Sequence, residues 1–474
     1  MARPSQPGSL LSCIRLTLGQ AWPVLISAWA GIAFGVIDTV MSGHASAADL
    51  QAMSLSVSIY ITVFVGLMGV VHALIPIMGQ HFGARRHEAI GQAWGQGIWL
   101  ALGLSVVGAV ALAFPDPWLA LSGDIEPEVR ASINWYLRAL ILALPASLAF
   151  RSIYALGTAV SRPKMVMTIN LVSIVFKTFF NWIFIFGKFG APALGAVGAG
   201  VSTAIVGWMT LAAGLWVLRH DRFYEQFKLT LGRPLWAVQK ELLRLGLPMG
   251  GSYLVEACAF TFMALLVARE GMFVTGGHQI IANLTALCYM MPMAVGIASA
   301  SLTAQAIGAN DALRARKMAA AGFIVVLTGA CLTVIILVLG RQQIVSAYTN
   351  ELKVAMVAVA LMQVAPYFHF CDAMQCFATY VLRAYKVAVV PLMLQVIALV
   401  GIGLVGGWWL GFGPSAGALR PLLDRFLPGA PVGAATLWVM SLAGLALSAM
   451  LLFAWYLRVT RDFLRNHPPV HHAR

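Results

Sequence analysis

Three carboxylates stand inside long apolar runs of this sequence. Glu256 lies in SYLVEACAFTFM, Asp372 in FHFCDAMQCFATY, and Asp38 in AFGVIDTVMSGH. Asp38 is one turn from the outer end of its run, so a rim position in water is the alternative for it. Because an ionised carboxylate is costly to bury, such a group either takes a proton or coordinates a cation. These acids therefore predict a site that binds a proton or an alkali cation and releases it again. The alternative is a structural role, in which Arg or backbone groups hold a buried acid in place between helices.

Asp372 begins a stripe of polar side chains in its apolar run. If the run is a helix, Gln375, Cys376 and Thr379 share its face, since they follow at offsets of 3, 4 and 7. A polar stripe on a helix surrounded by lipid should face a cavity in the protein. We therefore expect Asp372 and Gln375 to line the same cavity.

A lysine, Lys177, stands in the middle of another apolar run, VFKTFFNWIF, with Asn181 one turn later. An ammonium group at this depth is costly without a partner, and Asp38 is the partner that we expect. Two further cations, Arg138 and Arg151, lie nearer the ends of their run. There a long side chain can reach the lipid headgroups.

The elements that position these residues are membrane-spanning helices. Of the 474 residues, 60% are hydrophobic and only 10% are charged, whereas a soluble domain carries roughly a quarter charged residues. Twelve apolar runs each exceed the ~20 residues that a helix needs to cross the bilayer core, and none alternates in polarity as a barrel strand does. We place the spans at 18–42, 52–78, 92–114, 132–158, 164–187, 195–218, 244–268, 278–304, 318–340, 352–382, 387–412 and 432–457.

The net charge of +14 follows the membrane topology. Lys and Arg concentrate in the two terminal segments and in every second loop, which the positive-inside rule places in the cytoplasm. We therefore expect both termini to be cytoplasmic. The lipid bilayer is the partner that the apolar runs require, and the positive charge predicts no nucleic-acid partner.

The chain also repeats itself. A separation of 225 residues relates Pro23 to Pro248, and GQHFGARRHEA (79–89) resembles AQAIGANDALR (304–314). Parallel repeats are typical of transporters, with a substrate site between the halves and alternating access by rocking. An amphipathic segment, LWAVQKELLRLG (235–246), is expected to lie along the membrane surface. We expect an N-terminal lobe, a cytoplasmic inter-lobe loop and a C-terminal lobe at 1–218, 219–243 and 244–474.

The sequence offers little for an enzyme, a channel or a sensor. No Ser/His/Asp set, metal-ligand cluster or nucleotide-binding GxxxxGK[ST] loop stands out, so we expect neither catalysis nor a cofactor beyond a coupling ion. The six cysteines have neither metal-ligand nor thioredoxin spacing, and we interpret them as small core residues. A selectivity-filter motif is missing, and every loop is too short for an appended signalling domain.

Four segments resemble the multidrug and toxic compound extrusion (MATE) family, in its NorM-like bacterial branch. They are IDTVMSG (37–43), NWIFIFGKFGAPALGAVGAGVSTAIV (181–206), GHQIIANLTALCYMMPMAVG (277–296) and CDAMQCFATYVLRAYK (371–386). The second and fourth are quite specific, and the resemblance covers nearly the whole chain. It implies an all-α membrane protein with two repeated six-helix lobes. It also implies a functional monomer in a bacterial inner membrane.

The function that this resemblance implies is secondary active efflux, in which organic cations and amphipathic drugs leave in exchange for Na⁺ or H⁺. Glu256 and Asp372 match the paired acids of the C-terminal lobe that bind the coupling cation, a metal ion if it is Na⁺. Asp38 matches the first-helix acid of the N-terminal lobe. Sodium and protons stay open as alternatives, because their sites use the same carboxylates. The expected substrate cavity includes Gln279, Asn181, Asn283, Gln375 and Tyr367.

Three features depart from the family. Lys177 stands where a neutral polar residue is usual; a lysine there repels a metal ion and would be an internal cation, salt-bridged to Asp38. Phe368, one turn before Asp372, stands where Tyr is expected, although Tyr367 is adjacent. The segment 413–431 is long for the outer loop before the last helix. The first departure weakens an ion site in the N-terminal lobe, and the second loosens the assignment of sodium.

A flippase for lipid-linked oligosaccharides, from the same superfamily, is the alternative function. Its substrates carry phosphates, so its cavity requires Arg and Lys. Arg138, Arg151 and Lys177, all in the first half, support this alternative. The acids of the second half argue against it.

Overall fold

A computed structural model describes residues 9–119 and 126–466, with every side chain in those ranges except that of Ala47. Within these ranges, eleven helices are long and apolar enough to cross a membrane. Two shorter helices, Leu352–Leu361 and Ala365–Ala384, meet at a bend of 50° and are long and apolar enough only together, which gives twelve spans if the bent pair counts as one. The predicted all-helical membrane fold is therefore confirmed, with one span broken where the sequence predicts a continuous helix.

Of the residues that the structure describes, those of the first half form nine helices, two of which are single turns. They are α1 (Leu10–Ala45), α2 (Ala47–Val71), α3 (Leu74–Gly83), α4 (His87–Ala113), α5 (Asp116–Leu119), α6 (Pro127–Ala159), α7 (Pro163–Phe186), α8 (Ala196–His220) and α9 (Arg222–Glu225). Because α2 and α3 follow one another almost without interruption, they count as one span.

The second half begins with α10 and includes a 3₁₀ turn and a π-helical stretch. Its α-helices are α10 (Trp236–Val267), α11 (Met272–Gly308), α12 (Ala312–Leu339), α13 (Arg341–Tyr348), α14 (Leu352–Leu361), α15 (Ala365–Ala384), α16 (Val389–Gln395), α17 (Gly407–Gly411), α18 (Arg420–Phe426) and α19 (Val432–Asn466). The 3₁₀ turn is Ala268–Glu270, and the π-helical stretch, Val396–Gly406, joins α16 to α17 in one span.

The chain divides into two compact units, Ile26–Gly250 and the described residues of Met1–Leu25 with Gly251–Arg474. We call them the N-terminal and C-terminal units. Their boundaries fall inside α1 and inside α10, close to Pro23 and Pro248. These are the two prolines that the sequence repeat relates.

Helix α6 is the centre of the N-terminal unit. It packs against α2, α4, α7 and α8, and its buried side chains, among them Ile133, Tyr136 and Leu140, form a core with Ala196 and Ala199 of α8. The facing helices α7 and α8 are therefore held at fixed positions beside α6. These helices carry the polar side chains of this unit.

One carboxylate in each half holds the start of the last long helix of that half. Asp49 Oδ1 accepts a hydrogen bond from the backbone N–H of Ala196 at 2.7 Å, in the first turn of α8. Glu270 accepts from the N–H groups of Gly433 and Ala434 at 2.9 and 2.7 Å, in the first turn of α19. Each acid satisfies donors that have no partner within the helix and complements the helix dipole.

The segment that follows α9 lies directly on α4. Gly91 and Gly95 permit this contact, because a Cβ at either position would collide with backbone carbonyl groups of residues 227–231. Gln96 fixes the segment through two hydrogen bonds of 2.8 Å, one from its amide to Arg233 O and one to its carbonyl from Leu235 N. This part of the predicted inter-lobe loop is therefore anchored to the N-terminal unit.

Helix α15 is the centre of the C-terminal unit, where α11, α12 and α19 surround it. Phe368 is buried in an aromatic cluster, edge-on to Trp438 with ring centroids 5.1 Å apart and to Phe260 at 6.0 Å. Trp438 also donates a hydrogen bond to His278 Nδ1 at 3.2 Å. The phenylalanine at the position where Tyr was expected therefore belongs to the packed core.

Two local expectations change with the structure. The segment 235–246 was expected to lie along the membrane surface, but it forms the first turns of the long helix α10. The amphipathic pattern therefore continues into an apolar span without a break, and its place at the membrane surface stays a prediction. The long segment 413–431 contains a short helix, α18, whose Leu423 is buried against the core.

Candidate functional sites

Glu256 is held between two neutral hydrogen-bond donors in the C-terminal unit. Tyr289 of α11 donates its hydroxyl hydrogen to Glu256 Oε2 at 3.1 Å, and the Gln395 amide at the end of α16 donates to Glu256 Oε1 at 2.9 Å. Hydrogen bonds to both oxygens stabilise an ionised carboxylate more than a protonated one. Glu256 is therefore oriented as an acceptor with a fixed position.

Asp372 lies on the central helix α15, and its charge interacts with that of Glu256. The residues of its predicted polar stripe are all buried: Asp372 is 8% exposed, and Gln375, Cys376 and Thr379 are at most 2% exposed. Among the described residues, neither the oxygen nor the nitrogen of the Gln375 amide has a hydrogen-bond partner. A buried amide without partners is unusual. It indicates that a polar molecule or ion binds at this face of α15.

Arg383 is a buried residue of this region that sequence reasoning missed. It was counted among the charges of a cytoplasmic loop, yet it lies in the last turn of α15 and is only 4% exposed. Its guanidinium donates to Tyr253 Oη at 3.3 Å and lies over the rings of Tyr253 and Tyr380 at 5.0 and 4.6 Å. Because its charge also interacts with Glu256, Arg383 contributes positive potential to the acid pair.

Gln395 is the second residue that was missed. It is 1% exposed and is followed at once by the π-helical stretch Val396–Gly406. Stretches of π-helix are rare and often occur at functional sites. The sequence signal for Gln395 is that it is the one amide in the apolar run LMLQVIAL. A single polar residue is a weaker signal than the polar stripe on α15.

The acid of the N-terminal unit has a different environment. Asp38 of α1 is 6% exposed, and its Oδ1 lies 2.9 Å from Lys177 Nζ of α7. Asn181, one turn after Lys177, donates its amide hydrogen to the same oxygen at 2.6 Å. The ion pair between Asp38 and Lys177 that the sequence predicts is therefore present, and Asn181 joins it.

Lys177 has two more oxygen partners besides Asp38. Its Nζ donates to the carbonyl oxygen of Ala199 at 3.0 Å and to Thr203 Oγ1 at 2.6 Å, both on α8. The side chain is 1% exposed. The positive charge of Lys177 is thus balanced by one carboxylate and solvated by two neutral oxygens of the protein.

The remaining predicted cavity residues are all exposed on their helices. Gln279 and Asn283, four residues apart on α11, are both exposed and share a helix face. Tyr367 is 68% exposed and lies about 140° around α15 from Asp372, since successive residues of a helix are about 100° apart. The roles of all three stay predictions.

No group of three or more His, Cys, Asp or Glu side chains in the described ranges is arranged to hold a metal ion. A cation at Glu256 and Asp372 would need amide, hydroxyl or carbonyl oxygens as further ligands, which suits an alkali ion or a proton better than a transition metal. Outside the spans, a hydrogen bond to Glu88 raises the pKa of Lys228, and burial raises the pKa of Tyr224 to about 12.

A family model described as MatE matches the chain twice, over residues 23–183 and 248–409. The two matches agree with the sequence repeat. The chain is 36% identical to a probable multidrug resistance protein NorM of Aromatoleum aromaticum over 460 residues, which cover 96% of each chain. It is 33% identical to the multidrug resistance protein NorM of Vibrio cholerae over 438 residues, covering 91% of this chain and 92% of the relative.

Solved structures share the fold at lower sequence identity. The eukaryotic MATE transporter AtDTX14 superposes with a TM-score of 0.83 at 18% identity, covering 96% of this chain and 99% of the other. The Vibrio cholerae MATE transporter VcmN, in its bent form, gives a TM-score of 0.82 at 17% identity, with coverage of 96% and 99%. The family model that matches both halves and the relatives at 36% and 33% identity together show that the chain belongs to the MatE family.

Proposed function

We propose that this protein is a secondary active multidrug exporter, which moves organic cations and amphipathic drugs out of the cell in exchange for Na⁺ or H⁺. The observation that carries the proposal is the acid pair of the C-terminal unit. Among the described residues, no Lys, Arg or His nitrogen forms a salt bridge with Glu256 or Asp372. Two interacting carboxylates without a direct counter-ion attract a cation.

The coupling ion and a cationic drug would compete for the same negative charge. When Na⁺ or H⁺ binds Glu256 and Asp372, the site loses charge and its attraction for the drug falls. Tyr289 and Gln395 keep Glu256 in position for each cycle, because they hold both of its oxygens. Such differential affinity is what allows one gradient to drive another flux.

The substrate cavity is proposed to include the predicted polar residues. Gln375 contributes a buried amide with unused hydrogen-bonding capacity. Gln279 and Asn283 add amides on one exposed face of α11. Asn181 and Tyr367 complete the predicted set, and the scattered methionines would let the cavity adapt to different drugs.

Uptake of a fluorescent organic cation into everted membrane vesicles tests the function. A pH gradient and a sodium gradient are imposed separately, and vesicles without the protein are the control. Uptake driven by either gradient supports the exporter and identifies its coupling ion. If neither gradient drives uptake although the protein is present in the membrane, the proposal is wrong.

The flippase alternative loses its support in the first half. Lys177 is neutralised by Asp38, and Arg138 lies over the ring of Trp135 at 4.8 Å. Arg151 lies over aromatic rings at 5.5 and 5.7 Å. Of these cations, Lys177 is neutralised by a carboxylate, and the relatives reported above are named for multidrug resistance.

We further propose a location in the bacterial inner membrane, with both termini in the cytoplasm, and a functional monomer. The support is the excess of Lys and Arg in the terminal segments and alternate loops. Reporter fusions at Asn466 and at the loop after α10 would report the sidedness. Light scattering of the purified protein, corrected for detergent, would give its oligomeric state.

A further inference from the structure

A surface that is both basic and apolar lies where the inter-lobe segment enters α10. All of its side chains are exposed: Arg233, Lys240, Arg244, Leu231, Leu235, Trp236 and Leu247. We call these residues the α10 surface. Its apolar members are widely exposed, with Trp236 at 73% and Leu247 at 57%. Large exposed apolar side chains beside cations indicate contact with a membrane or with another molecule.

The three cations of the α10 surface have no acidic partner. Among the described residues, none of them forms a salt bridge. Nearby cations of the same unit are paired: Arg162 lies 2.8 Å from Asp221. Lys228 is likewise paired with Glu88. The positive charge of the α10 surface is therefore available to an anion from outside the protein.

The exposed side chains of α10 lie on one face of the helix. Lys240 follows Trp236 at an offset of 4, so the two are neighbours on that face. The only carboxylate between residues 231 and 247, Glu241, lies about 140° around the helix from Trp236. Leu242 and Leu245, on the far side, are buried. An exposed face that begins with an aromatic and a cationic side chain is typical of a helix that enters the bilayer through the headgroups.

The backbone that carries Arg233 is held in place on α4. Trp99 Nε1 donates to the carbonyl oxygens of residues 231 and 232, both at 3.2 Å. The amide of Gln239, in the first turn of α10, donates to the backbone oxygen of Gln96 at 2.8 Å. The inter-lobe segment and the start of α10 therefore share one support. Cations on a fixed backbone lose less conformational freedom when they bind a common ligand.

We propose that the α10 surface binds an anionic phospholipid. The phosphate lies at Arg233, Lys240 and Arg244, and the acyl chains follow the apolar face of α10. Charge and polarity together select this occupant, because unpaired cations attract an anion and exposed apolar side chains require a hydrocarbon partner. Free phosphate supplies only the anion, and a zwitterionic lipid carries no net charge. The inference does not rest on the proposed function.

The test uses the full-length protein in neutral detergent micelles that contain either phosphatidylglycerol or phosphatidylcholine. Bound lipid is counted by native mass spectrometry across a titration of each lipid. The midpoint of thermal unfolding is measured in the same samples. A further sample contains inorganic phosphate in place of lipid, which separates a lipid site from a site for free phosphate.

Two variants change the α10 surface. The triple variant Arg233→Gln/Lys240→Gln/Arg244→Gln removes its three charges, and Trp236→Ala removes its aromatic side chain. Because all four side chains are exposed, these substitutions leave the core unchanged. In phosphatidylcholine we therefore expect both variants to unfold at the midpoint of the wild type.

The matched control is a second triple variant, Arg130→Gln/Arg162→Gln/Lys228→Gln. It lies in the same unit and changes the net charge by the same amount. Each of its three cations is exposed but already paired with a carboxylate. A nonspecific effect of net charge would affect the two triple variants equally, whereas an anionic lipid at the α10 surface affects only the first.

We expect phosphatidylglycerol to raise the unfolding midpoint of the wild type by several degrees over phosphatidylcholine, since a ligand of the folded state stabilises it. Each cation near an anionic headgroup contributes about fivefold in affinity, so the α10 triple variant should bind phosphatidylglycerol about 100-fold more weakly. It should also lose the increase of the midpoint. Trp236→Ala should bind about tenfold more weakly, and the control triple variant should behave as the wild type.

Equal affinity of the wild type and the α10 triple variant for phosphatidylglycerol would overturn the proposal. So would equal losses in the two triple variants, or a stabilisation by inorganic phosphate as large as that by lipid. If the α10 triple variant does not fold, Lys240→Gln alone decides, with an expected loss of about fivefold and no loss as the contrary result. The readout needs no drug, so a failure of drug transport and a failure of this inference are distinguishable.

Discussion

The buried acids of the two halves are stabilised in different ways against the cost of burying a carboxylate. In the N-terminal unit, Asp38 meets the ammonium group of Lys177 at 2.9 Å, and the pair is electrically neutral. In the C-terminal unit, the oxygens of Glu256 meet a hydroxyl and an amide, and Asp372 adds a second carboxyl group that interacts with Glu256. One fold therefore carries a closed ion pair in one half and an open acid pair in the other. On the function proposed above, charge balance rather than the presence of an acid distinguishes the half that exchanges ions.

Neutralising the open acid pair should have the largest effect on transport. We expect the Glu256→Gln/Asp372→Asn protein to lose gradient-driven drug uptake down to the level of vesicles without the protein, because no negative charge is left to bind the coupling ion. The control is Lys228→Gln, which removes an exposed charge of the segment on α4. Uptake by the double variant at the wild-type rate would show that the C-terminal acid pair does not bind the coupling ion.

Breaking the closed pair should mainly affect stability. Asp38→Asn leaves the Lys177 ammonium buried without a counter-ion, and breaking a buried pair costs about 3–5 kcal/mol. Replacing both partners, by Asp38→Asn with Lys177→Met, should recover most of that loss, since no uncompensated charge remains. Thermal unfolding of both single variants and the double variant measures the coupling. Additive effects would show that the two side chains do not act as a pair.

Removing one donor from Glu256 should shift ion binding without abolishing it, and the direction depends on the ion. A hydrogen bond to a charged group contributes roughly 1.5–3 kcal/mol, so Tyr289→Phe or Gln395→Ala should change the concentration of coupling ion needed for half-maximal uptake about 10- to 100-fold. A proton should bind more tightly, because the ionised carboxylate loses a hydrogen bond, whereas Na⁺ should bind more weakly, because the carboxylate is no longer held in position. Tyr348→Phe is the matched control, because Tyr348 is 42% exposed at the end of α13 and belongs neither to the acid cluster nor to the predicted cavity. An unchanged ion dependence in both donor variants would mean that Glu256 needs no positioning.

The smallest effect concerns a feature in which the halves are alike. Asp49→Asn and Glu270→Gln each weaken the carboxylate that accepts hydrogen bonds from the start of a long helix. The expected cost is about 1 kcal/mol in each case, and the two losses should be similar. The unfolding midpoints of the two variants, compared with wild type, measure them. A much larger loss in one half would show that the repeat is not equivalent there.

The bounds of the spans could be predicted closely, because the length of each apolar run and the prolines and glycines at its ends determine them. The predicted span 164–187 corresponds to α7, Pro163–Phe186, which begins at a proline and ends before Gly187 in a left-handed conformation. The predicted span 195–218 corresponds to α8, Ala196–His220. Proline fits the first turn of a helix and glycine its end, so the sequence itself indicates the boundaries.

The contents of the C-terminal site could be predicted only in part. The stripe on α15 follows from helical spacing, and its burial confirms that it faces protein rather than lipid. The burial of Arg383 could not be predicted, because it depends on Tyr253, which lies 130 residues away in sequence. The break between α14 and α15 and the π-helical stretch are likewise set by packing, for which an apolar run carries no signal.

Cys376 gives this molecule a natural chemical reporter. Its thiol is 1% exposed and lies one turn after Asp372 on the stripe of α15. A small charged thiol reagent can modify it only when water reaches the interior of the C-terminal unit. The rate of modification of Cys376, followed by mass spectrometry with and without a gradient, therefore measures how often water reaches Asp372. Because Cys376 is a native residue, the measurement needs no substitution.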